Sequence, residues 1–447
     1  MRTRNAVRFP PATPTLALLA CAFFLRLFFA PFEGFKPDIQ ELVARDRYTA
    51  EHGVTRVADA VAGTNIPLYP PLAIYQGCLV SKIGAARLAK LQSQYPEVAE
   101  VWTRVRFKLL AITYDMLAGV AILLFLSRVA DPPVALWGCA IFLFNPCVWM
   151  DSAWFGQIDA VHSFYMLLCV LCLGISWTGP RDGWLLAAWV MFGLSVCAKL
   201  QSILILPLLG WATLLRRDPA VIARSVLAGL LTALLFYSPY LVARRWDYLL
   251  HVFVKSFTFH NLTQVDAFNL WALLPSLPAT NTFLGVSYAH IGEGLSLAAL
   301  GWSVLLLTFL LKPDAAGADN VRKLTVAGAY GCAALFVLLT NMHERYISPA
   351  IPLLITAACL DRRLRWLAAG FSLTYALNIL FVLRPMGATA DELAIRNASN
   401  FALRVFGSLL NLGMVFWCTV RLPDLLRSPG TGPDAAERAL GRAEQAA

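Results

Sequence analysis

The sequence predicts an all-α polytopic membrane protein of about a dozen transmembrane helices, on three grounds. The chain of 447 residues is 58% hydrophobic and only 14% charged, with a mean hydropathy of +0.63, a balance outside that of soluble globular domains. Apolar runs approaching 20 residues, the length that crosses a hydrocarbon core of about 30 Å, recur along most of it. The short connections on one side of those runs carry Arg and Lys, as cytoplasmic loops do.

Taken in order, the runs lie near residues 13–31, 107–127, 134–150, 160–177, 184–199, 200–215, 221–241, 293–311, 324–340, 348–360, 366–383 and 401–420. The first is long and no small-residue cleavage site follows it, so it reads as a retained span and not a removed signal. Arg2, Arg4 and Arg8 set the N-terminus in the cytoplasm. The short loops holding Arg128, Arg181, Arg216 with Arg217 and Arg224, Lys312 with Arg322 and Lys323, and Arg362 with Arg363 and Arg365 then fall inside as well. The run NIPLYPPLAIYQGCLVSKIG, 65–84, is short and holds adjacent prolines, which makes it a re-entrant or interfacial segment on the outer side. Lys82, Arg87, Lys90, Arg104, Arg106 and Lys108 are thereby left on the outer face, an excess that a bound anion would explain. One transmembrane domain, 1–427, follows from this reading, with a first outer loop at 32–106, a second long outer loop at 242–292 and a cytoplasmic tail at 428–447.

The formal charge of +10 does not indicate a nucleic-acid partner, because the basic residues are scattered among loops and form no basic domain. Nine of the ten cysteines lie in or beside apolar runs, where cysteine acts as a small hydrophobe, and no metal or other cofactor is expected. The lipid bilayer is the first partner.

Polar residues gather at the outer ends of the spans. Asp38 follows the first; Tyr69 with Pro70 and Pro71 lies in the first outer loop; Gln157 and Asp159 follow the third span; Lys199 and Gln201 sit at the turn between the fifth and sixth. Asn269 and Trp271 fall in the second long loop, and His343, Glu344 and Arg345 follow the ninth span. A charge at mid-bilayer costs on the order of 3 kcal/mol, so several at one face imply a shared wet cavity. Singly, each has a plainer reading: Asp38 as a solvated loop acid, Lys199 as a snorkelling cation, the His-Glu-Arg triplet as a helix-end cluster, Trp271 as a belt aromatic. Arg26 either snorkels or faces an anion, Asp115 is undecided, and Asp151 and His162 read as structural.

Five segments carry a resemblance. FNPCVWMDSAWFGQIDAV, LYPPLAIY, AKLQSILILP, DAFNLWALLP and MHERYISPAIPLL are similar to motifs of GT-C glycosyltransferases that use polyprenyl-phosphate sugars. The resemblance spans about residues 38 to 353 and implies the GT-C fold, with a lipid-embedded groove and a catalytic acid in the first outer loop. The matching acid is Asp38, with Asp46 its nearest competitor; no DxD or ExD pair accompanies it, so no metal is implied. The implied reaction moves a hexose, mannose favoured over glucose, from a polyprenyl-phosphate donor to a glycan, glycolipid or lipid-linked acceptor, with inversion. Asp38 would accept the acceptor proton, while Arg345, Lys199, Arg106 and Arg104 would hold the leaving phosphate. Gln157, Asp159, His343, Glu344, Trp271, Asn269 and Tyr69 would bind sugar or acceptor or support those groups. A bacterial plasma membrane with the site on its periplasmic or extracellular side is preferred over the endoplasmic reticulum, where the sequons at Asn261 and Asn397 would matter. The competing class is a lipid or sugar transporter or flippase without transfer chemistry, which predicts paired repeats and broken helices at mid-membrane.

Overall fold

The structure, a computed structural model, describes residues 9–64, 66–178, 182–216, 218–256, 259–312, 317–383 and 390–427. The tail at 428–447 lies outside the described residues. The chain is an all-α integral membrane protein. In chain order α1 is Ala12–Phe29, α2 Lys36–His52, α3 Pro71–Lys82, α4 Ala85–Gln94, α5 Pro96–Val129, α6 Pro132–Leu143 and α7 Pro146–Phe155. Next come α8 at Asp159–Ser176, α9 at Asp182–Ala198, α10 at Leu200–Leu214, α11 at Pro219–Val242 and α12 at Trp246–Leu250. Finally α13 is Tyr288–Leu310, α14 Gly317–Leu338, α15 Ala350–Leu360, α16 Arg365–Leu383 and α17 Ala390–Leu426. A two-stranded hairpin, β1 at Thr282–Phe283 against β2 at Val286–Ser287, precedes α13.

Among the described residues eight helices are long and apolar enough to cross a membrane, and α6 with α7 form a ninth span bent by 46°. Three shorter apolar helices, α9, α10 and α15, complete a set that corresponds run for run with the twelve seen in the sequence. The bend has a local cause. Asn145 precedes Pro146, which drives it into an extended conformation, and its side chain then caps α7 by accepting from the Cys147 amide at 3.3 Å. Proline opens α3, α5, α6 and α11 as well, in the first turn where its missing N–H costs no hydrogen bond.

Two helices start well before the apolar runs read from the sequence: α17 begins at Ala390, ahead of its run at 401, and α5 does likewise. Helix α5 begins at Pro96, well before the apolar run that starts at 107, because its first turns are polar and carry no hydropathy signal. Helix α3, inside the prolyl segment 65–84, has 12 residues, about 18 Å at 1.5 Å per residue, well short of a bilayer core.

The main apolar core runs through the bundle between α5, α6, α8, α9 and α14 to α17. A second core lies under the cap formed by α2 and α3, where Ile39, Leu42, Leu72 and Ile74 pack with Phe107, Tyr240 and Tyr248. The two long loop segments are joined there: Tyr248 donates to the Tyr69 carbonyl at 2.9 Å, and Arg245 pairs with Asp59 at 2.5 Å. Lys108, one of the six basic residues of the first loop region, is buried and donates to the carbonyls of Phe32 (2.6 Å) and Trp154 (2.9 Å). It pins the loop after α1 to the end of α7.

Candidate functional site

Two glycines set the position of the first acid. Gly34 and Gly156 have φ of +67° and +86°, conformations that L side chains rarely adopt. A Cβ on Gly34 would lie 2.4 Å from the Trp154 carbonyl and 2.5 Å from that of Phe155, so the start of α2 is laid directly against the end of α7. The Phe35 amide donates to the Phe155 carbonyl at 3.0 Å and fixes this contact. Asp38 then falls in the first turn of α2, where the helix macrodipole favours a negative charge, and faces the turn that carries Gln157 and Asp159.

Arg345 is the centre of the cluster. Its Nη1 donates to Glu344 Oε1 at 2.7 Å, its Nη2 lies 3.2 Å from Asp38 Oδ2, and its Nε lies 3.4 Å from Asp159 Oδ2. Lys199 donates to Asp159 Oδ1 and stands 4.2 Å above the ring of Tyr346, so a cation–π contact and an ion pair hold it together. Gln157, fully buried, donates to Asp38 Oδ2 at 2.8 Å. Asp38 Oδ1 accepts no hydrogen bond among the described residues. The acid after the first span, the lysine between α9 and α10 and the triplet before α15 are therefore joined in one cluster of ion pairs.

The rest of the triplet is tied in behind Arg345. Burial pushes the Glu344 carboxyl up, but the Arg345 charge and the His343 contact outweigh it and bring it down to about 2. His343 Nδ1 lies 3.7 Å from Glu344 Oε2, and its ring meets His260 edge-on with centroids 4.7 Å apart. Tyr69 borders the cluster under the Arg45 guanidinium, 5.0 Å from its ring. Burial raises its phenol to about 12, so it is a neutral hydrogen-bonding group.

Other sequence candidates lie elsewhere. Arg104 pairs with Glu100 at 2.9 Å and Glu33 at 4.0 Å, and Arg106 donates to the Ile83 carbonyl at 2.8 Å; neither pairs with the Asp38 cluster. Asn269 caps the tight turn at Leu270–Leu273, and Trp271 Nε1 donates to the Leu338 carbonyl at 2.8 Å. Trp271 is 3% exposed, so its faces are packed and its role is to anchor the loop on the end of α14. Arg26 does not snorkel: fully buried, it pairs with Asp115 at 3.1 Å, which also accepts from Ser152 at 2.5 Å. Asp151 lines a cavity of about 30 Å³ with Ser163, Ser348 and Tyr375, room for water and not for a sugar.

Tyr346, Arg45 and His260 were not singled out from the sequence. Tyr346 adjoins Arg345, and Arg45 lies seven residues after Asp38, two helical turns along the same face, so both had a spacing signal. His260 had none, because its approach to His343 depends on the path of the second long loop.

No family model matches the chain, and no curated protein matches it. Among solved structures it is similar to ArnT from Cupriavidus metallidurans bound to undecaprenyl phosphate, at 17% identity and a TM-score of 0.51, over 93% of this chain and 78% of that one. This chain has the GT-C fold. The apo state of the same ArnT matches at 16% identity and a TM-score of 0.49, over 92% of this chain and 76% of that one. The GT-C fold expected from the five motifs is thus the fold observed, and in it the first long loop and the segment before α15 meet at Arg345.

Proposed function

We propose that the protein is an inverting glycosyltransferase that moves a hexose, mannose in preference to glucose, from a polyprenyl-phosphate donor to a glycan or lipid-linked acceptor on the outer membrane face. One observation carries the reading: a carboxylate with one oxygen, Asp38 Oδ1, unengaged among the described residues stands beside the Arg345 guanidinium, which Asp159 links to the Lys199 ammonium. The undecaprenyl phosphate named for the ArnT structure supports a donor of that chemistry. Asp38 accepts the proton of the acceptor hydroxyl as its oxygen attacks the anomeric carbon. The bond to phosphate oxygen breaks with its electron pair, and Arg345 and Lys199 stabilise the charge left there, so no general acid is needed. Attack from the face opposite the phosphate inverts the anomeric centre. We assign residues 1–427 to this transfer domain and the loop at 32–106 to its base.

Purified protein incubated with labelled polyprenyl-phosphate mannose and glucose tests the reading. Transfer of label to an acceptor is expected, and Asp38→Asn should abolish it while leaving a folded, lipid-binding protein. Lipid movement across a bilayer without transfer would sink the proposal in favour of a transporter, and undiminished turnover in Asp38→Asn would remove Asp38 as the base.

A further inference from the structure

The Arg345 guanidinium meets three carboxylates at three nitrogens: Glu344 at Nη1, Asp38 at Nη2 and Asp159 at Nε. With Lys199 on Asp159, these pairs join two cations to three anions, a formal sum of −1. A phosphate brought to this cluster meets net repulsion unless one carboxylate leaves, and the three are not equally placed to leave. The Asp159 side chain is fully buried and shared with Lys199, and that of Glu344 is 3% exposed and backed by His343. The Asp38 side chain is 28% exposed, lies in the first turn of a loop helix, and has one further tie, the Gln157 hydrogen bond to the same oxygen that faces Arg345.

We propose that Asp38 and the donor phosphate compete for the Nη2 face of Arg345, so that donor binding displaces the carboxylate and turns it toward the acceptor. The inference rests on the glycosyltransferase reading and adds a sequence of events to it. The Asp38 carboxylate is held by the cation that the phosphate needs, and it becomes a base when the phosphate takes that cation. Atoms balance as in ordinary displacement: the acceptor proton passes to Asp38, the acceptor oxygen bonds to the anomeric carbon, and the electron pair of the broken bond stays on the phosphate at Arg345.

The test measures affinity for undecaprenyl phosphate of the full-length protein in nanodiscs. Asp38→Asn should bind this lipid about tenfold more tightly than the wild type, a difference of about 1.4 kcal/mol. Glu33→Gln removes a charge from the same loop region but not from Arg345, and should change affinity by less than about twofold, as a screened surface charge does. Asp38→Ala with added formate is the second arm: formate restores a carboxylate to Arg345 and should weaken lipid binding in this variant while leaving the wild type unchanged, which a purely structural role for Asp38 would not produce. Asp38→Asn with affinity equal to or below wild type, or formate without effect on Asp38→Ala, overturns the inference. A wild type that binds no undecaprenyl phosphate instead overturns the donor reading beneath it, so the two failures are distinct.

Discussion

Arg345 joins residues that are more than 300 positions apart in the chain, and its loss is expected to be felt first in donor use. Removing one preorganised cation or donor from a site of developing negative charge typically costs about 2–4 kcal/mol in rate, so Arg345→Ala should lower turnover by roughly 30- to 1000-fold. Arg345→Lys should recover only part of it, because a lysine cannot present the fork that meets three carboxylates. Turnover of either variant at a range of donor concentrations is the check. Acid should loosen the same region. Burial, His343 and Arg345 lower the His260 imidazole to about 4, below its ordinary 6.5, so its neutral form contributes stability above 6.5 that is lost as pH falls to 4. Glu344, lowered to about 2, contributes stability above 4.5 that is lost as pH falls through 2. The His260 loss falls within this range, so it should lower the thermal midpoint in detergent from pH 7 to pH 4 and His260→Gln should flatten that part, whereas the Glu344 loss has the same sign but begins only below 4.5.

At the scale of elements, Asp38 is positioned by backbone contact between the start of α2 and the end of α7 and not by its own helix alone. Gly34→Ala forces a Cβ against two carbonyls at 2.4 and 2.5 Å in a left-handed conformation, so the start of α2 must shift. The expected result is loss of transfer of about 100-fold, since misplacing a reacting group by about 1 Å has that effect, with a far smaller change in thermal midpoint. None of this contact was legible in the sequence, where Gly34 is one glycine among 28. The spans were legible because hydropathy is additive along a helix and needs no partner. The polar start of α5 was not, because polar turns carry no hydropathy signal of their own. In the same way Asp38, Lys199 and Arg345 could be picked out as polar groups at span ends, while the commitment of Arg104, Arg106, Asn269 and Trp271 to local partners depends on loop paths that periodicity does not encode.

For the whole molecule, the two ends of the bundle differ in a way that predicts its orientation. One end holds the Asp38–Arg345 cluster and the two joined loop segments. The other ties α14, α16 and α17 together through basic residues: Arg322 pairs with Asp361 at 3.2 Å and donates to the Arg427 carbonyl at 2.9 Å, and Arg363 pairs with Asp361 at 2.6 Å. The short loops at this second end are those rich in Arg and Lys, the pattern expected of cytoplasmic loops. Arg56 at the site end and Arg421 at the basic end have side chains 60% and 59% exposed, so cysteines placed there report each face. In a background where the exposed Cys21 is changed to serine, a membrane-impermeant maleimide applied to intact cells should label Arg56→Cys and leave Arg421→Cys unlabelled until the membrane is opened. The reverse pattern would put the cluster on the cytoplasmic side, where an acceptor on the outer face could not reach Asp38.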